Sequence, residues 1–297
     1  MNSFSFNGVN KKSNYFEGWY IHLLDNEKKI AYAFIFGISL YEKDKHAFIQ
    51  IIDKNVKEPF YFRFDINDFY YNNDSIKIKD NILSPTQVVI NEGPFDIDLS
   101  ISGLNVLENN LLTPGAMGLI KYLPIPTHIE IIFLDSLITG TINQEDFSGS
   151  AYMEKNWGSR FPNKWIWIES NNFSNNNTSF VMAYANLFAN VDGFFAILKI
   201  DGEELRFATY NGFKTKVITS NKNNVVIEIS KRDLTLKVEV DYKDEYKLVA
   251  PVKYGNMTRI ISESLNSDLK ISLYRNNKLI YSDTAKEVAC ENTYHIN

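Results

Sequence analysis

An all-β fold made of two antiparallel barrel- or sandwich-like halves is predicted, and three features of the sequence predict it. Short apolar runs alternate with polar residues at period two through most of the chain. Phe and Tyr are plentiful, 21 and 17 among 297 residues, which suits strands and apolar pockets better than a helical bundle. No stretch offers a long, well-capped amphipathic helix.

The elements follow in order. Trp19 to Leu24 is an apolar run, Asp25-Asn26-Glu27-Lys28 a polar turn, and Ile30 to Tyr41 a second apolar run, which together predict a hairpin. Phe48 to Ile52 and Phe60 to Phe64 read as the next strands, separated by Asp53-Lys54-Asn55. Ser75 to Lys79 and Phe95 to Ile101 alternate cleanly, so each is expected to bury one face and wet the other. The segment from Thr113 to Pro126 holds three of the eight prolines, and proline removes ladder donors. Residues 113–128 are therefore expected to connect an N-terminal half, 1–112, to a C-terminal half, 129–297. Asn171 to Asn177 reads as an exposed turn. Val225 to Ile229, Leu234 to Val240 and Leu269 to Tyr274 supply further strands.

The bulk numbers exclude several classes. The formal charge is -5, without the basic surface a nucleic-acid binder needs. The single cysteine, Cys290, cannot form an intramolecular disulfide, and a reducing compartment is its natural home. Met1 to Lys12 is polar with no apolar signal core, and apolar stretches such as Ala31 to Tyr41 are too short to span a bilayer. A cytoplasmic protein is expected, with transient docking on a membrane left open. The four histidines, His22, His46, His128 and His295, are scattered without metal-ligand spacing, so no metal is expected. No phosphate-binding glycine loop, nucleophile elbow or dinucleotide fingerprint occurs, so no cofactor is expected either.

All four tryptophans fall in two places that are dense in aromatics, carboxylates and glycine. The first is Tyr15-Phe16-Glu17-Gly18-Trp19-Tyr20. The second runs from Tyr152-Met153-Glu154-Lys155-Asn156-Trp157-Gly158 through Phe161-Pro162 to Trp165-Ile166-Trp167-Ile168-Glu169-Ser170-Asn171. On a strand, Trp165, Trp167, Glu169 and Asn171 share one face, and Ile166, Ile168 and Ser170 take the other. Indoles mixed with a carboxylate and an amide are what a barrel lumen needs to hold and orient an apolar molecule. By the same parity Tyr152, Glu154 and Asn156 align, as do Glu17, Trp19, Ile21 and Leu23. The plainer alternative is that the indoles fill a core and that each Glu pairs with Lys155 or Arg160.

These two segments resemble the hallmark stretches of the tocopherol cyclase family, and Ala250-Pro251, Gly255-Asn256-Met257 and Ile261-Ser262-Glu263-Ser264 fit it more loosely. The resemblance touches both ends and the middle of the chain. It implies a lipocalin-like two-part β-barrel and, by the family's named activity, closure of a chromanol ring from a prenylated quinol. Members often carry Gln-Cys-Asn after the Trp-x-Trp element, whereas Glu169-Ser170-Asn171 stands here, so a carboxylate replaces an amide.

Ring closure begins with protonation of an alkene carbon, which needs a strong, dry acid. Burial keeps a carboxylic acid protonated near neutrality. Glu169 is the first candidate acid, followed by Glu154 and Glu17. Trp19, Tyr152, Trp157, Trp165 and Trp167 are candidates for packing the ligand, with Asn156 and Asn171 orienting its hydroxyl. The competing class is a binding protein that carries a lipid, quinone or pigment unchanged. Under either reading the partner is a hydrophobic small molecule, and the oligomeric state stays open.

Overall fold

The computed structural model describes residues 3–25, 27–56, 58–109, 113–188 and 191–294. Its elements are almost all strands, arranged in two curled antiparallel half-barrel sheets. The chain divides into two compact units. The first comprises Met1–Leu107, Pro124–Phe161 and Lys247–Ile260, and the second Glu108–Leu123, Pro162–Tyr246 and Ile261–Asn297.

The first sheet is organised about the pairing of Phe16–Asp25 with Glu145–Gly158. On one side it continues through Ile30–Tyr41, Asp44–Asp53 and Phe60–Phe64. On the other it runs through Asp135–Ile142, Phe95–Asn105, Gln87–Glu92 and three short strands ending at Phe69–Tyr71. The hairpin expected at Asp25 forms: Asp25 Oδ1 accepts the backbone N–H of Lys28 at 2.9 Å, and Lys29 adopts φ +54°. Period-two alternation is cleanest in Phe95–Asn105, where Phe95, Ile97, Leu99 and Ile101 are buried between exposed Asp96, Asp98 and Ser100. The central strands come close because residue 149 is glycine. A Cβ there would stand 1.9 Å from the Leu24 carbonyl oxygen.

The second sheet runs Glu203–Ala208, Val191–Ile200, Thr178–Phe188, Trp165–Ser170, Lys278–Asn292, Asn256–Arg275, Leu234–Asp241, Asn224–Lys231 and Lys214–Ser220. The strand Trp165–Ser170 thus lies beside the last strand of the chain. Aliphatic side chains from alternate positions, including Ile166, Ile168, Val225, Ile227, Leu236 and Val238, fill its interior.

The expected boundary between the halves is corrected. Residues 129–158 do not open the C-terminal half but complete the first sheet, because Glu145–Gly158 hydrogen-bonds along Phe16–Leu24. The proline-rich segment is not a free linker either. Arg206 donates to the carbonyls of Glu108, Thr113 and Gly115, and the Tyr210 hydroxyl donates to the Ala116 carbonyl at 3.2 Å. Those bonds fix the start of the segment to the second unit.

Candidate functional site

Glu17 sits inside the first unit. Its strand neighbours of like parity, Trp19, Ile21 and Leu23, belong to the apolar core, as the alternation predicts. The carboxylate is wholly buried, 3.3 Å from the Lys155 ammonium, and accepts the Tyr15 hydroxyl at 2.5 Å. It also accepts the backbone N–H groups of Asn7 at 3.0 Å and Gly8 at 3.1 Å. Lys155 in turn donates to the Ser5 carbonyl and stands 5.7 Å above the Trp19 ring and 5.1 Å above the Trp157 ring. Burial raises the Glu17 carboxyl above its ordinary value and lowers Lys155, and their mutual attraction opposes both shifts. Four donors aimed at one carboxyl suit the anion, so Glu17 is built to anchor the N-terminal segment. Trp157 shares this interior and lies face to face with His128, ring centroids 5.2 Å apart.

Tyr152, Glu154 and Asn156 align on the other face of Glu145–Gly158. Glu154 is buried, and its two oxygens accept the Tyr152 hydroxyl at 2.5 Å and the Asn156 amide at 2.6 Å. Tyr20, opposite Glu154 in the ladder, packs its ring edgewise on Tyr152 with centroids 6.5 Å apart. Tyr20, Tyr152 and Glu154 are all shielded from solvent. The result is a phenol, a carboxyl and an amide held in fixed contact.

In the second unit, Trp165, Trp167 and Glu169 share a face and are buried, Glu169 completely. The expected direction is reversed, however. Ile166 and Ile168 fill the half-barrel interior, and the indoles and Glu169 take the face turned away from it. Aliphatic packing decides the matter: the isoleucines belong to one buried cluster with Met182, Ala196 and Val288. Asn171 lies just beyond the strand and is half-buried.

The register adds two carboxylates that sequence reasoning passed over. Trp167 is directly across from Glu291, and Glu291 from Glu263. The Trp165 indole N–H donates to Glu291 Oε2 at 2.5 Å. Glu263 is wholly buried and Glu291 nearly so. Their signal was a Glu in an apolar setting on each of the last two strands, but nothing local pairs those strands with residue 167.

Cys290 is buried in the second core beside the Tyr242 hydroxyl, 2.8 Å from its sulfur, and burial pushes the thiol up, away from reactivity. Among the described residues, no group of three or more His, Cys, Asp or Glu side chains is placed to hold a metal ion. His295 lies outside the described residues.

His46 is buried, with Nδ1 2.9 Å from the Asp44 carbonyl and Nε2 2.8 Å from the Tyr61 hydroxyl. The carbonyl requires N–H at Nδ1, so Nε2 accepts from Tyr61 and from Arg63 at 3.3 Å. Burial and, less strongly, the Arg63 charge lower its pKa, against the pull of Asp44. A depressed value means the contribution to stability is present above about pH 6.5 and is lost as pH falls through the folded-state value. The urea midpoint should therefore drop between pH 7 and pH 5, and His46→Gln, weaker at pH 7, should show a smaller drop. Equal drops in the two proteins would show that His46 is not the group responsible.

No curated protein sequence matches the chain. Among solved structures, kievitone hydratase from Nectria haematococca aligns over 99% of this chain and 92% of its own, with TM-score 0.53 and 11% identity. CghA with Sch210972 aligns over 94% of this chain and 88% of its own, with TM-score 0.55 and 9% identity. Superposition over most of both chains at so low an identity shows a shared two-barrel fold and no more. A model of the tocopherol cyclase-like family matches residues 108–292, a span that is well over half of the chain and includes Tyr152 to Gly158, Trp165 to Asn171, Glu263 and Glu291. The chain belongs to the tocopherol cyclase-like family.

Proposed function

We propose that the protein is an acid-catalysed cyclase or isomerase acting on a prenylated quinol or a similar hydrophobic molecule. The observation that carries this reading is the face of Trp165–Ser170 turned away from the apolar interior, where two indoles and a completely buried carboxyl lie together. A carboxylic acid there donates its proton to the alkene carbon, leaving a tertiary carbocation. An indole face stabilises such a cation by roughly 0.5–2 kcal/mol. The phenol oxygen then adds to the cation and gives up its proton to a carboxylate, so that product and substrate have equal mass. Exclusion of water keeps hydration from competing. Glu169 remains the leading acid, with Glu154 second because its phenol and amide neighbours fit a hydroxyl-orienting role. Glu17 leaves the list, since Lys155 and the N-terminal backbone occupy it. Trp19 and Trp157 likewise leave the ligand set for the interior of the first unit. The reading places the protein in the cytoplasm, where a lone buried thiol needs no partner.

The test is incubation with a prenylated quinol, followed by extraction and mass analysis. A product of unchanged mass and altered retention is expected, and Glu169→Gln should slow its formation by about 10²–10⁴-fold. Bound but unaltered ligand would replace the enzyme by a carrier. A mass gain of one water would indicate a hydratase, the activity in the name of one structural neighbour. Full turnover in Glu169→Gln, with loss in Glu154→Gln, would transfer the acid role to the first unit.

A further inference from the structure

We propose that the tip of the second half-barrel, formed by the hairpin turns at Arg232-Asp233 and Asn276-Asn277, docks on an anionic lipid bilayer. The two turns are neighbours in the sheet. Leu234 pairs with Arg275, the Asn276 N–H donates to the Asp233 carbonyl at 2.8 Å, and the Arg275 guanidinium stands 3.9 Å from the Asp233 carboxylate. Residues 230–234 and 274–280 carry Lys231, Arg232, Arg275 and Lys278 against Asp233 alone, and Lys214, opposite Ser230, adds a cation on the next strand. Lys214, Arg232, Arg275 and Lys278 are all exposed. A chain whose formal charge is -5 thus gathers positive charge at one spot.

Aliphatic side chains adjoin that charge. Asn276 and Asn277 adopt φ +50° and +60°, the backbone of a tight two-residue turn. Just beyond it, Leu279 pairs with Tyr274 and Tyr281 with Leu273, so Ile280 is the extra residue of a bulge. Consecutive strand residues ordinarily point to opposite faces. Here both meet water: Leu279 is 50% exposed and Ile280 48%. Aliphatic side chains beside cations complement a lipid surface, where the cations meet phosphate headgroups and the apolar groups enter the acyl boundary. A nucleic acid also offers phosphates, but its bases stack on aromatic rings and give Leu279 and Ile280 nothing to enter. The docking does not depend on the proposed ring closure, but it would bring an enzyme of that kind to the bilayer in which a prenylated quinol dissolves.

Flotation of the intact protein with lipid vesicles tests this. The wild type should float with vesicles of equal parts phosphatidylglycerol and phosphatidylcholine, stay behind with phosphatidylcholine alone, and lose affinity as salt rises. Each cation near an anionic surface strengthens binding by about fivefold, so Arg232→Gln/Lys278→Gln should weaken it by about 25-fold. Leu279→Ser/Ile280→Ser should weaken it by about tenfold while leaving the salt dependence in place. Lys43→Gln/Lys45→Gln, which removes two exposed cations of the first unit, should bind as the wild type does. Absence of binding to the phosphatidylglycerol vesicles, or an equal loss in the Lys43/Lys45 variant, overturns the docking surface. Tighter retention on single-stranded DNA than on the vesicles also overturns it and makes the tip a nucleic-acid contact. If the vesicles are bound as expected while no prenylated quinol is converted, the cyclase reading fails and the docking stands.

Discussion

Lys155→Met is expected to destabilise the protein by about 3–5 kcal/mol, the cost of breaking a buried ion pair from one side. The ammonium is 2% exposed and its partner carboxylate 0%, so neither charge has water to fall back on. Removing it leaves the buried Glu17 anion with no cation to balance it and releases the Ser5 carbonyl that Lys155 holds. The double variant Glu17→Gln/Lys155→Met should recover part of the loss, since a buried pair replaced as a unit costs less than a pair broken. Urea midpoints for the wild type and the three variants check this. A loss below about 1 kcal/mol, the range of solvent-exposed pairs, would show that the pair is hydrated after all.

Trp19→Ala should cost a similar about 3–5 kcal/mol, for a different reason. The indole is completely buried, touches Phe4, Phe6 and Phe69, and donates its N–H to the Phe4 carbonyl at 2.9 Å. Truncation empties the space between the sheet and the N-terminal segment. Trp19→Phe should cost less, because it keeps most of the ring volume and gives up the hydrogen bond, worth about 1 kcal/mol. Protease cleavage among residues 4–8 should rise in Trp19→Ala ahead of global unfolding. If cleavage follows global unfolding alone, the segment is held by something other than Trp19.

Much of the fold was legible because period-two alternation is local. Phe95 to Ile101 could be called a half-buried strand from seven residues, and the parity grouping of Tyr152, Glu154 and Asn156 became a real hydrogen-bonded set. The inward or outward sense of Trp165 was not legible. Both faces of Trp165–Ser170 are buried, so hydrophobicity does not distinguish the interior from its reverse, and only the volumes on neighbouring strands do. The boundary near residue 113 failed for a related reason. Prolines mark a break in the ladder but say nothing of which sheet receives the next strand, and the pairing of residues 16–24 with 150–158 spans more than a hundred positions. Glu263 and Glu291 were not recognised as neighbours because a carboxylate pair set by register is invisible until two strands are aligned.

Glu154 and Lys155 are consecutive, and the strand that carries them is covered on both sides. Displacing that strand by one position against Phe16–Asp25 would turn Glu154 inward toward Glu17 and carry Lys155 out of the core. Two buried anions would then face each other with no cation between them, a penalty that no apolar rearrangement offsets. The opposite charges at adjacent positions therefore act as a proofreading device for the longest-range pairing in the first sheet, penalising a misaligned chain before the rest of the barrel can close around it.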